Sequence, residues 1–244
     1  MKKIFLLLLI CLSAMSFASD EFNALFYEVR NQRDAAKMAQ LIQDIESQND
    51  LNNNESLLTI LADCYLEYGD WGVAKELKEK TLEQARKYAE AAVKLNNENG
   101  RANYIAGAAI GRLAQYKGII QSLFMLGDFD KYINKAISIL REDNDEERLY
   151  KTFALIASGM RFRDVPWPLN DYKKSEQLLF EAAKLTPNYS NIYLELGYLY
   201  LKTNNKDKAR EMFQKVIDSE PHPLLTATHL NAVKTAQEEL AKLK

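Results

Sequence analysis

Residues 190–221 read SNIYLELGYLYLKTNNKDKAREMFQKVIDSEP, and this stretch decides the fold. Tyr193, Leu196, Gly197 and Tyr200 recur at three- and four-residue intervals, the spacing of one helical face rather than of a strand. Gly197 and Ala209 are small where two helices would cross, Phe213 is large enough to fill the space between them, and Pro221 ends the second helix. The preceding unit ends on Thr186-Pro187, one 34-residue period upstream of Pro221. A helical hairpin of this size cannot bury its apolar face alone, so recurrence at a fixed period implies stacking of hairpins end to end.

A second copy of the pattern lies at Leu61-Ala62, Tyr65, Gly69, Trp71 and Ala74. Together these units resemble the tetratricopeptide repeat, and the resemblance implies an all-α solenoid of stacked antiparallel helix hairpins closed by a C-terminal capping helix. The clearest repeats span 55–97 and 190–223. In the earlier one the expected second helix reappears only at Ala85, Ala89 and Ala92. Ala74 to Ala85 is 11 residues, close to three helical turns. The second helix is therefore expected to be lengthened without losing its buried face, with Glu76 to Lys80 standing in solvent.

The rest of the chain fits the same architecture. Phe22, Leu25, Phe26 and Val29 form one stripe, and Ala35, Met38, Leu41, Ile42 and Ile45 form another beyond a polar turn. Gln48 to Asn54 reads as a loop. Gly107 and Gly111, inside the Ala- and Gly-dense run 102–111, mark close packing of a further hairpin. That hairpin is expected to be interrupted by Lys117 to Asp130 before Tyr132, Ile133, Ala136, Ile137 and Leu140 resume it. Glu146 to Arg161 begins another, and Pro166-Trp167-Pro168 makes a stiff connection that buries or presents an indole. The final helix, from about Leu224, is expected to point Leu230, Val233 and Leu240 inward.

The first residues differ from the remainder. Lys2 and Lys3, the apolar run Ile4 to Leu12, and small residues at Ser16 and Ala18 are the layout of a secretory signal peptide spanning 1–18, leaving 19–244 as a single solenoid domain. The run is about half the length of a spanning helix. Ile10 ahead of Cys11 departs from a lipobox. Removal leaves an acidic chain with one thiol, Cys64, expected to be a small buried residue. The expected location is the periplasm.

Composition narrows function further. The 32 Lys and Arg are balanced by 34 Asp and Glu, a net charge of −2, which gives no basic footprint for nucleic acid. Two histidines, His222 and His229, stand apart from the single mature cysteine, and no metalloprotease, CxxC or nucleophile-elbow motif is present. No enzyme activity, cofactor or metal site is expected. Carboxylates at Asp143, Asp145, Glu146 and Glu147 precede a helix and suit its positive end.

A stack of hairpins exposes a concave surface built from its first helices. In register these positions are Ser56, Thr59, Asp63 and Leu66; then Arg101, Tyr104, Ala108 and Gly111, with Arg112 alongside; then Asn191, Leu194, Tyr198 and Leu201. Arg101, Tyr104, Arg112, Asn191, Leu194, Tyr198 and Leu201 form the candidate binding groove. Their mixture of aromatic, aliphatic and cationic groups suits a mixed apolar and polar partner: a peptide segment or helix of another envelope protein, or an amphipathic small molecule.

Beyond the repeat itself, Lys87 to Val93, Ile110 to Ala114, Lys131 to Ile137 and the Pro-rich loop resemble two groups. One is the regulator-of-microtubule-dynamics family with its bacterial relatives; the other is the T component associated with some tripartite periplasmic (TRAP) transporters. The resemblance covers about 55–244. It implies a non-enzymatic scaffold for protein–protein interaction, or alternatively a transporter-associated or small-ligand-binding accessory protein, as an oligomer in the T-component case.

Overall fold

The structure, a computed structural model, describes residues 19–243. The expected signal peptide and Cys11 lie outside these residues. Among the described residues there are eleven α-helices and no strands: α1 (19–32), α2 (Ala35–Glu46), α3 (Glu55–Glu67), α4 (Lys75–Leu95), α5 (Gly100–Ala114), α6 (Ile119–Ile139), α7 (Asp145–Asp164), α8 (Tyr172–Leu185), α9 (Ser190–Lys202), α10 (Lys206–Asp218) and α11 (Thr226–Lys242). The dominant pairings are α3 with α4, α5 with α6, α7 with α8 and α9 with α10, and successive hairpins then stack through α4–α5, α5–α7 and α8–α9. The tetratricopeptide-type solenoid read from the sequence is the observed fold.

Asn and Asp residues fix where helices begin. Asp34, Asn54, Asn99, Asn144, Asp171 and Asn205 each accept a backbone N–H three residues ahead, ending the connection and satisfying a donor that the first turn leaves unpaired. The helices they start cross closely where the sequence is smallest. A Cβ on Gly197 would lie 2.3 Å from the Phe213 ring, and one on Gly107 2.6 Å from Ile133, so only glycine permits these approaches.

The helices α4 and α6 are each 21 residues long and begin without a side-chain cap. The lengthening of α4 matches the three-turn insertion expected there. For α6 the structure corrects the sequence reading: residues from Ile119 onward do not interrupt the hairpin but extend its second helix by the same device. Ion pairs link the two hairpins: Arg86 of α4 meets Asp128 of α6 at 3.4 Å, and Lys117, just ahead of α6, meets Glu79. Ile119, Ile120 and Phe124, on the extended part of α6, remain exposed.

The capping helix also departs from expectation. Val233 and Leu240 pack inward as expected, but Leu230 is 64% exposed, and the most deeply buried positions are Ala232 and Ala236 against α9 and α10. Small residues allow α11 to lie close to the last hairpin at its centre, while Val233 and Leu240 pack against the same core at the edge of that face. Trp167 is presented rather than buried, at 85% exposure. Cys64 is buried and free, and burial pushes its thiol well above the ordinary range, which suits a packing residue rather than a nucleophile.

Candidate functional site

The concave face is divided in two by a wall of aromatic rings. Tyr104 of α5, Tyr150 and Phe153 of α7, and Tyr189 ahead of α9 form a chain with centroid separations of 5.7 Å (Tyr104–Tyr150), 5.6 Å (Tyr150–Phe153) and 5.3 Å (Phe153–Tyr189). Edge-to-face and tilted contacts at these distances add to the stabilisation from area burial alone. Each ring stands on a first helix or its cap, and the stacking of first helices side by side therefore brings them together.

On one side of the wall lies α1. Its Phe26 and Val29 are fully buried, and Arg30 is only 2% exposed. The Arg30 guanidinium stands 5.2 Å from the Phe26 ring, 4.9 Å from Tyr27 and 5.9 Å from Phe153. Arg101 stands over Tyr150 at 4.8 Å and over Phe26 at 5.1 Å, donates to Asp63 and Glu146 at 2.9 Å, and reaches Asn23 of α1 at 2.6 Å. Asp63, itself 2% exposed, also accepts from the Tyr150 hydroxyl. Arg101 is thus held by ring faces and by the carboxylates of Asp63 and Glu146, whereas Arg30 lies among ring faces without a hydrogen-bonded partner.

Glu67 completes this interior cluster, accepting from the Trp71 indole N–H at 2.7 Å. Burial pushes its carboxyl above the usual glutamate range, against the opposing pull of Arg30. The folded protein therefore holds this proton more tightly than the unfolded chain does. Its contribution to stability declines as pH rises from the ordinary glutamate value through the raised folded value. An Arg30→Met variant is expected to raise the Glu67 midpoint further, measured by NMR titration of 13C-labelled glutamate; an unchanged or lower midpoint would contradict the assignment.

On the other side of the wall is an open cavity of about 580 Å3 between α5, α6, α7 and α9. Phe129, Phe153, Ile156, Met125 and Met160 supply apolar walls, while Arg112, Arg161, Asp164 and Glu195 stand among them. These charges are committed to partners: Arg112 to Asp70, Arg161 to Asp130 at 2.8 Å, and Arg163 to both Asp164 at 2.8 Å and Glu195 at 2.6 Å. Burial pushes Glu195 above the ordinary range, opposed by Arg163. The cavity therefore offers a mainly apolar interior with compensated charge at its edge.

Of the groove residues expected from register, Tyr104, Arg112 and Asn191 line this cavity. Arg101 belongs instead to the buried network against α1. Leu194 is buried, Tyr198 packs edge-on against Phe213 at 5.7 Å, and Leu201 is part of the apolar packing; none of the three lines the cavity. Register alone overlooked Tyr150, Phe153, Tyr189 and Arg30. The Pro-rich connection shifts the repeat numbering of α7, so only the aromatic spacing Tyr150–Phe153 on one helical face could have marked those two.

Among the described residues, no helix is long and apolar enough to cross a membrane, and no group of three or more His, Cys, Asp or Glu side chains is placed to hold a metal ion. The sequence profile of the family described as regulator of microtubule dynamics protein 1-3 matches residues 22–153, more than half of the chain. The chain belongs to that family. A tetratricopeptide-repeat profile matches residues 169–228, so the two assignments follow one another along the same solenoid. No curated protein matches the chain. Among solved structures it is similar to YrrB, described as a TPR protein with an unusual peptide-binding site. The two are 21% identical over 89% of this chain and 98% of that one, with a TM-score of 0.40. It is also similar to yeast Tom70, at 14% identity over 85% of this chain and 60% of that one, with a TM-score of 0.27.

Proposed function

We propose that this member of the regulator-of-microtubule-dynamics family is an exported, non-enzymatic binding scaffold that works in the bacterial periplasm, where its concave cavity receives an apolar segment of another envelope protein. The cavity carries this reading: it is concave, mainly apolar, and bordered by charges already neutralised by neighbours, so an apolar group can enter without stripping water from an unpaired ion. The Lys2-Lys3 leader with its small residues at Ser16 and Ala18 supports export. The paired charges and the buried, protonated Cys64 give the interior no activated nucleophile, in keeping with a non-catalytic role.

A second reading is a carrier of an amphipathic small molecule, of the kind implied by the resemblance to the T component of TRAP transporters. The cavity volume favours it, because about 580 Å3 falls within the range of drug-sized ligand pockets. Ala157 lines the cavity and is partly exposed, so an indole there would fill the space from a position that tolerates bulk. Ala157→Trp is expected to abolish capture of the partner from solubilised envelopes while thermal stability stays within about 1 kcal/mol of the parent. Native mass spectrometry separates the readings. A protein partner lost from the variant supports the scaffold, a bound small mass lost from it supports the carrier, and equal retention by both proteins sinks the cavity assignment.

A further inference from the structure

Tetratricopeptide arrays expose their concave face for ligands, yet here half of that face is filled by the chain's own first helix. We propose that α1 is a separable ligand of the concave face: a helix bearing Phe26, Tyr27 and Arg30 that docks in cis, opens at Arg33, and is exchangeable for an amphipathic helix of the same chemistry. This site is distinct from the cavity beyond the aromatic wall, so it stands or falls separately.

Three observations carry the proposal. First, α1 meets the solenoid as a bound helix does, with one face in and one face out. Phe26, Val29 and Arg30 are buried, whereas Ala24, Leu25 and Glu28 face solvent. Second, it is pinned at its two ends by polar contacts. Asn23 engages Arg101 at 2.6 Å; at the far end Asn31 donates to the Pro223 carbonyl at 3.0 Å and accepts from the Thr226 N–H at 2.7 Å. Between them the Arg30 guanidinium is enclosed, facing Glu67 and Asp63 electrostatically, but none of its nitrogens donates a hydrogen bond. A group desolvated without spending its donors favours an element that can leave, since all of those bonds are regained in water. Third, the joint to α2 is only two residues, Arg33 and Asp34, and Arg33 is held at φ 52°, in the left-handed region that a non-glycine residue seldom occupies. Freeing α1 releases that constraint.

The groove also defines what it reads. The Phe26 and Tyr27 rings lie against the Arg101 guanidinium at 5.1 and 5.5 Å, and an arginine one turn further on meets the Phe153 ring near the carboxylates. A partner helix therefore needs adjacent aromatics followed by a cation three residues later.

The test uses the chain with a protease recognition sequence inserted between Arg33 and Asp34, and a fluorescein-labelled synthetic peptide of residues 20–33. After cleavage, the peptide is expected to displace α1 and bind saturably by anisotropy. Affinity should be at least tenfold weaker for uncut protein and for a peptide carrying Phe26→Ala and Arg30→Ala. Equal binding of the two peptides, no displacement by excess peptide, or collapse of the solenoid on cleavage would each overturn the proposal. Native-state hydrogen exchange on the unaltered chain gives an independent reading. Amides of α1 are expected to exchange at least 100-fold faster than those of α5 and α9, and exchange only through global unfolding would overturn it.

Discussion

Asp63→Ala is expected to remove about 3–5 kcal/mol from the free energy of unfolding, the range seen when one partner of a buried ion pair is deleted. Asp63 is 2% exposed and accepts from both the Arg101 guanidinium and the Tyr150 hydroxyl, so three elements lose a shared anchor at once. Arg101 would keep Glu146 and Asn23, which lie toward the solvent side, but its most deeply buried edge would face no acceptor. Asp63→Asn keeps an oxygen for those donors and should cost less. Asp63→Leu combined with Arg101→Met removes both charges and should recover much of the loss, because the desolvation of an unpaired guanidinium disappears with it. Urea unfolding at neutral pH measures all three; a full loss in the double variant would show that the pair stabilises beyond its own charges.

Phe213→Ala should be comparably costly, about 3–5 kcal/mol, for a different reason. The ring is fully buried, meets Tyr198 edge-on, and occupies the space that Gly197 leaves open. Truncation leaves a cavity at the crossing of α9 and α10. Gly197→Ala overfills the same crossing, because its Cβ would lie 2.3 Å from the ring, and is expected to cost about 1–3 kcal/mol alone. In the Phe213→Ala background the added methyl should cost little or even stabilise. Additive losses in the double-mutant cycle would contradict direct apposition of the two positions.

The sequence made the repeats legible because their signal is local: small residues at crossings, aromatics at fixed offsets, and proline at the ends of units. It was far less informative about α1. The stripe of Phe22, Leu25, Phe26 and Val29 shows that one side is apolar, but not which distant surface receives it. Arg30 carries the opposite signal, since an arginine beside such a stripe ordinarily lies at the surface, with its guanidinium in water. Its burial depends on rings from α7 that are remote in sequence. The same limit explains the groove. Offsets point to Tyr104 and Asn191, which line the cavity, yet they carry no knowledge of an element that returns across the array and covers Asp63 and Arg101. At α6 the difficulty was local: Ile119, Ile120 and Phe124 are apolar but exposed, so no buried face announced that the helix had already begun.

The clasp between Asn31 and the segment carrying Pro223 and Thr226 has a consequence for how such a chain can change through descent. An open array tolerates the gain or loss of a whole unit, since each added pair only lengthens the spiral. Here α1 grips the segment that opens α11, so inserting one more 34-residue unit between them would carry Pro223 and Thr226 out of reach of Asn31. While that clasp is made, the number of units between α1 and α11 is set by geometry, and α4 and α6 are long without adding a unit.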